Sequence, residues 1–160
     1  MLRIRELEPA DADFLGAMLY EALYWDAAKE RLPVEFVLAH PALMIFYAGW
    51  GRPGDTGLVA ELDGRPVGVV WYRLFTEAEH GEGFVDEETP ELAISVADGH
   101  RGAGIGRALM EAIAERARAD GLDRLSLSVD ADNPAGRLYA RLGYVEHEPG
   151  DGLGRMTLAL

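Results

Sequence analysis

Between a short apolar run ending at Val96 and an amphipathic stretch beginning at Ile105, the chain reads Ala97-Asp98-Gly99-His100-Arg101-Gly102-Ala103-Gly104-Ile105-Gly106-Arg107. Glycines placed this way let backbone N–H groups close on a phosphate, and a helix N-terminus just behind them adds partial positive charge. A ligand bearing a pyrophosphate is what these residues could serve, and three readings compete. A nucleotide-binding P-loop requires Gly-Lys followed by Ser or Thr, a run the chain lacks. A dinucleotide fingerprint opening at Gly102 wants its third glycine where Arg107 stands, and leaves about 30 residues after Asp130 for the second half of such a fold. A plain glycine-rich turn is the third reading, but alternating glycines before a helix are entropically costly without a ligand.

The flanking elements must hold this loop in place. Phe14, Leu15, Met18, Leu19, Ala22 and Leu23 recur at helical spacing within Pro9 to Tyr24. Pro33 to Ala48 reads as a second helix broken near His40-Pro41, since a residue before proline disfavours helical geometry. Leu58 to Leu62 and Val67 to Phe75 flank Asp63-Gly64, a hairpin signal. Thr76 to Pro90 is acidic and aperiodic and reads as a long loop, functional or disordered. Leu92 to Val96 is a strand, Ile105 to Ala119 a helix stopped at Gly121, and Leu125 to Val129 a strand with one buried face. Asn133 caps a short helix with Pro134 at its first position and Gly143 at its end; Tyr144 to His147 and Arg155 to Leu160 close the chain as strands. The expectation is one α/β domain over residues 1–160, a mixed sheet with helices on its faces.

Two of these segments carry a family resemblance. Arg101-x-x-Gly104-x-Gly106, following Leu92-Ala93-Ile94-Ser95-Val96, resembles the coenzyme A pyrophosphate loop of the GNAT acetyltransferase superfamily. Asn133-Pro134-Ala135-Gly136-Arg137-Leu138-Tyr139-Ala140-Arg141-Leu142-Gly143-Tyr144 resembles that superfamily's second signature. The match is close from Glu91 to Val145, whereas residues 1–60 agree only in layout. The resemblance implies a central, mostly antiparallel sheet of six to seven strands whose middle strands splay apart, with the pantetheine arm of acetyl-CoA lying in the gap. It supports the reaction better than it supports the acceptor.

Acetyl transfer to an amine needs a neutral amine, a stabilised oxyanion on the thioester carbonyl and a proton for the departing thiolate. On the family pattern Ile94, Ser95 and Val96 line the pantetheine arm, and backbone N–H groups near Ser95 and Val96 serve the oxyanion. Arg101, Gly102, Ala103, Gly104, Ile105, Gly106 and Arg107 hold the pyrophosphate, although Arg107 reads equally as a solvated surface charge. Tyr139 takes the position of a thiolate-protonating tyrosine, or simply packs beside Ala135. Asn133 caps its helix and is a candidate pantetheine contact. Glu91 is the candidate base acting through a water, or an ordinary strand-end carboxylate. His40, His80, His100 and His147 lack metal-ligand spacing and read as loop or surface histidines. Tyr24, Trp25, Trp50, Trp71, Tyr72 and Phe75 are candidates for the acceptor wall, with core packing accounting for most of them.

Composition bounds the partners. Lys plus Arg number 15 against 28 Asp plus Glu, a net charge of −13, whereas a nucleic-acid surface would show a basic patch. Cationic substrates fit this balance, and so does plain solubility. Cys is absent, so thiolate nucleophiles and thiolate metal sites are excluded and transfer is expected to be direct and sequential. Neither a signal peptide nor a membrane-length apolar run is evident, which leads to the expectation of a soluble, cytoplasmic protein. The expected cosubstrate is acetyl-CoA with no metal. The expected partner is a small-molecule or peptide amine, with no nucleic acid or membrane, and a homodimer is left open. Acylation of a protein N-terminus or lysine, and a non-catalytic acyl-CoA-binding module, are the rival readings.

Overall fold

Leu2 and Ile4 alternate with Arg3 and Arg5, and this short segment forms an edge strand β1 (Leu2–Glu6) that adds to the elements expected from the sequence. Arg5 fastens it: its guanidinium donates to Glu61 at 2.5 Å and to Asp11 at 2.8 and 3.0 Å. The computed structural model describes residues 1–160. A 3-10 turn (Pro9–Asp11) leads into α1 (Ala12–Leu23), followed by α2 (Val34–Leu38) and α3 (Pro41–Met44). The interruption expected near His40-Pro41 is there: the His40 imidazole accepts the Ala42 N–H and starts α3 with Pro41 in its first turn. β2 (Thr56–Leu62) and β3 (Arg65–Arg73) form the hairpin, turning through Asp63 and Gly64, both with positive φ. β4 (Glu91–Val96), α4 (Ile105–Ala119), β5 (Arg124–Ser128), α5 (Ala135–Arg141), β6 (Val145–Glu146) and β7 (Arg155–Ala159) complete the chain.

The strands form one sheet in the order β1-β2-β3-β4-β5-β7-β6. Every neighbouring pair is antiparallel except β4 and β5. One face packs on α4 through Leu109, Met110 and Ile113 against Val70, Leu125 and Leu127. The other packs on α1 through Leu15, Met18 and Leu19 against Val59, Val69 and Trp71. Burying residues of this size contributes about 1.5–3 kcal/mol each before entropy is counted.

A charge is buried where β3 leaves the sheet. The Arg73 side chain is 1% exposed and its partner Asp55 2%. Two parallel bonds of 2.9 and 2.8 Å join guanidinium to carboxylate, and the remaining arm donates to the carbonyls of Ile45 and Ala48, both at 2.8 Å. Trp71 adds a third tether, its Nε1–H donating to the Phe46 carbonyl at 2.9 Å. β3 thereby holds the segment after α3 beside the start of β4. Removing the guanidinium would strand the Asp55 charge, at a cost of about 3–5 kcal/mol. Urea denaturation of Arg73→Ala is predicted to show a loss of that size, with Asp55→Asn in the same background recovering part of it.

Candidate active site

Parallel β4 and β5 meet at one register position only, Glu91 opposite Ser126, with the Ser126 N–H donating to the Pro90 carbonyl at 3.1 Å. Beyond that point they diverge. The Ala97 N–H donates to the Val67 carbonyl at 2.7 Å. Bonding alternates along an antiparallel ladder, so Ser95, opposite Val69, also turns its N–H toward β3. The N–H groups of Ile94 and Val96 therefore face the gap. The gap-facing donors are thus Ile94 and Val96, not the Ser95 and Val96 expected from the sequence. The Ser95 Oγ is buried without a hydrogen-bond partner.

At the top of the gap lies the glycine loop. Gly104 precedes α4 with φ +83°, a conformation that disfavours any other residue. The first helical bond runs from the Ala108 N–H to the Gly104 carbonyl, so the N–H groups of Ile105, Gly106 and Arg107 have no helical acceptor. Gly102 and Ala103 are exposed, and the Ile105 side chain is buried in the core, leaving only its backbone to the loop. This cradle of open N–H groups on a 15-residue helix suits a phosphate. Arg101 folds back, its Nε–H donating to the Val96 carbonyl at 3.1 Å. Arg107 pairs with Glu111 on the exposed surface.

At the other end a cavity of about 770 Å³ opens beside β4 and β5. Glu91, Ile94, Asn133 and Tyr139 line it together with Phe46, His80 and Phe84. Tyr139 comes from α5, whose start differs slightly from expectation. Pro134 occupies the cap position and Asn133 sits one residue earlier, its Oδ1 accepting the Ala135 N–H at 3.0 Å. Tyr139 is buried and its hydroxyl is pushed up to about 12 by desolvation alone. A phenol in that state is fully protonated at neutral pH and can donate.

Glu91 is 2% exposed. Its Oε1 accepts the Gly81 N–H and its Oε2 the Gly83 N–H, each at 3.0 Å. Those bonds favour the anion, but desolvation is the larger effect and raises the carboxyl to about 7. The loop Thr76 to Pro90 is thus clasped onto the start of β4. Its glycines permit the close approach: a Cβ on Gly83 would come within 2.8 Å of the Leu127 carbonyl carbon and 2.9 Å of the Ser128 nitrogen, and one on Gly81 would overlap the Glu91 carboxylate and the Phe46 ring.

Of the acidic loop residues, Glu77 and Glu82 reach the cavity. Asp86 instead pairs with Arg124 at 2.5 Å and caps the turn at Glu88 and Thr89. Phe46 and Phe84 form the aromatic wall in place of the six aromatics considered from the sequence, none of which lines the cavity. His80 is an exposed loop histidine, as read, yet it also lines the cavity. No signal in the sequence ties residues 46, 80 and 84 together; their meeting depends on the clasp at Glu91 and the tethers to β3. No cluster of His, Asp or Glu capable of holding a metal is present, and no helix is long and apolar enough to cross a membrane.

The profile of the acetyltransferase (GNAT) family matches residues 17–144, and the chain belongs to that family. It is 35% identical to a mycothiol acetyltransferase of Streptomyces avermitilis over 62% of its own length and 30% of the relative's. It is 34% identical to an L-2,4-diaminobutyric acid acetyltransferase of Nocardia farcinica over 69% of its own length and 52% of the relative's. The chain thus spans between about a third and a half of these relatives. A ribosomal-protein-alanine N-acetyltransferase structure from Brucella melitensis superposes with a TM-score of 0.67 at 28% identity, covering 99% of both chains.

The Glu91 carboxyl gives a stability test. Its raised value means that the folded protein holds a proton between about pH 4.5 and 7 that the unfolded chain releases, so Glu91 makes stability fall as pH rises through that window. The slope amounts to at most about 1.4 kcal/mol per pH unit. Denaturant melts of wild type and Glu91→Gln from pH 4 to 8 are predicted to differ by an amount that shifts in favour of Glu91→Gln as pH rises, and is constant above about pH 7.

Proposed function

We propose that this chain transfers an acetyl group from acetyl-CoA directly to a primary amine, and that the acceptor is a small cationic amine. The observation that carries the reading is the divergence of β4 from β5, with open N–H groups at Ile94 and Val96, a glycine cradle at one end and a cavity at the other. An extended amide chain lying along β4 would take up those groups as an added strand does. Its pyrophosphate would meet the N–H groups of Ile105, Gly106 and Arg107, and its thioester would reach the cavity beside Glu91 and Tyr139. One of the N–H groups of Ile94 and Val96 would then stabilise the oxyanion. Tyr139, with its hydroxyl held protonated, would supply the proton to the departing thiolate. Membership of an acetyltransferase family and the names of the relatives support the same reaction.

The acceptor follows from the walls. A volume of about 770 Å³ lies within the usual range for small-molecule sites, and the clasped loop narrows the approach that a protein substrate would use. Glu77, Glu82 and Glu91 supply carboxylates. Arg155, the one guanidinium lining the cavity, is engaged with the Phe84 carbonyl, Glu148 and Asp151. The electrostatics therefore favour an ammonium, with both terminal nitrogens of Arg155 taken up and only its buried Nε–H unpartnered. Steady-state acetylation across a panel of monoamines, diamines, amino acids and an N-terminal peptide is predicted to rank diamines first. Glu77→Lys with Glu82→Lys is predicted to raise KM for the diamine about tenfold and to weaken its salt dependence. Equal rates with neutral amines would remove the cationic acceptor, and transfer to the peptide alone would replace it with a protein.

A further inference from the structure

Each Glu91 oxygen accepts one backbone N–H, which ties the carboxylate to Gly81 and Gly83 and leaves one lone pair on each oxygen. A second proton acceptor lines the same cavity. The Nδ1 of His80 lies 2.7 Å from the Gly81 carbonyl oxygen. A carbonyl only accepts, so Nδ1 carries the hydrogen, and the neutral ring has its lone pair on Nε2. The ring is fixed on its face as well, stacking on Phe84 at 4.3 Å between centroids and 16° between planes. Phe84 is buried, its N–H donates to the same Gly81 carbonyl at 3.3 Å, and its own carbonyl accepts from Arg155 at 2.9 Å.

We propose that His80 is the residue that deprotonates the acceptor amine, and that Glu91 serves it as a positioning residue by holding Gly81 and Gly83. This rests on the acetyl transfer proposed above. The Nε2 lone pair takes one proton from the ammonium and passes it to solvent. The freed nitrogen lone pair forms the bond to the thioester carbon, and the carbon–sulfur bond breaks with its electron pair leaving on sulfur. Tyr139 protonates that thiolate and regains a proton from the acylated nitrogen, so one proton is released overall. Because Nδ1–H donates to Gly81 whether the ring is neutral or cationic, His80 cycles without moving. The charged groups sharing the cavity are Glu77 and Glu82 of the loop, Glu91 of β4 and Arg155 of β7, with the Tyr139 phenol from α5. The Glu77 and Glu82 carboxylates stabilise the imidazolium as it forms, joined by Glu91 where it is ionised.

The test compares wild type, His80→Asn and Glu91→Gln with a diamine acceptor from pH 5.5 to 9, with acetyl-CoA affinity measured by calorimetry. Asparagine keeps a donor for the Gly81 carbonyl and lacks the Nε2 lone pair. His80→Asn is expected to bind acetyl-CoA normally and to lose about 10²-fold in kcat/KM. Free imidazole should restore activity to His80→Asn. Glu91→Gln is expected to change kcat and KM together and to gain nothing from imidazole. His80→Asn within twofold of wild type at all pH values overturns the proposal, and if Glu91→Gln then shows the 10²-fold loss, Glu91 is the base. A wild type that binds acetyl-CoA yet acetylates no amine removes the transfer reaction itself, and the base with it.

Discussion

Two adjacent parallel strands that pair at one residue and then separate leave backbone donors and acceptors facing each other across a space too wide to bond. In the interior of a protein such groups are costly unless something occupies the space. Glu91 opposite Ser126 is the last point of contact; from there Ile94 and Val96 present N–H groups to the gap. The glycine cradle stands at the end where β4 runs into α4, and the cavity at the end where β4 begins. Each needs the gap between them, because it is the path by which a ligand anchored at one end can react at the other.

The cavity end is held by unlike interactions acting together. From β3, Arg73 and Trp71 hold the carbonyls of Ile45, Phe46 and Ala48, which brings Phe46 to the wall. From β4, Glu91 holds the N–H groups of Gly81 and Gly83, which brings His80 and Phe84. The ion pair of Arg73 with Asp55 is nearly dry, and the Glu91 carboxyl is nearly dry without a cationic partner. That difference explains why burial raises Glu91 so far: two N–H donors offset only part of the lost hydration.

Much of this was legible in the sequence, and the divide is physical. Elements set by local chemistry read correctly: the Asp63-Gly64 turn, the break at His40-Pro41, and the helix running from Ile105. The Asn133 cap was right in kind and one residue off in position, because Pro134 takes a helical conformation already at the cap. β1 was missing from the reading, since only Ile4 packs on the core and arginines flank it over too short a stretch. The glycine cradle depends on backbone within a continuous segment, which a motif records. The cavity depends on residues 46, 80, 84 and 91 from separate segments, and on Arg73 at the end of a largely apolar strand, so neither periodicity nor spacing could reveal it.

The central claim is that the gap receives acetyl-CoA along β4, and amide hydrogen exchange resolved by residue tests it most directly. Exchange at Ile94 and Val96 is predicted to slow by tenfold or more when acetyl-CoA is added, while Ser95, already bonded to β3, changes little. Unchanged exchange at both residues under saturating acetyl-CoA, or protection confined to Ser95, would contradict the account.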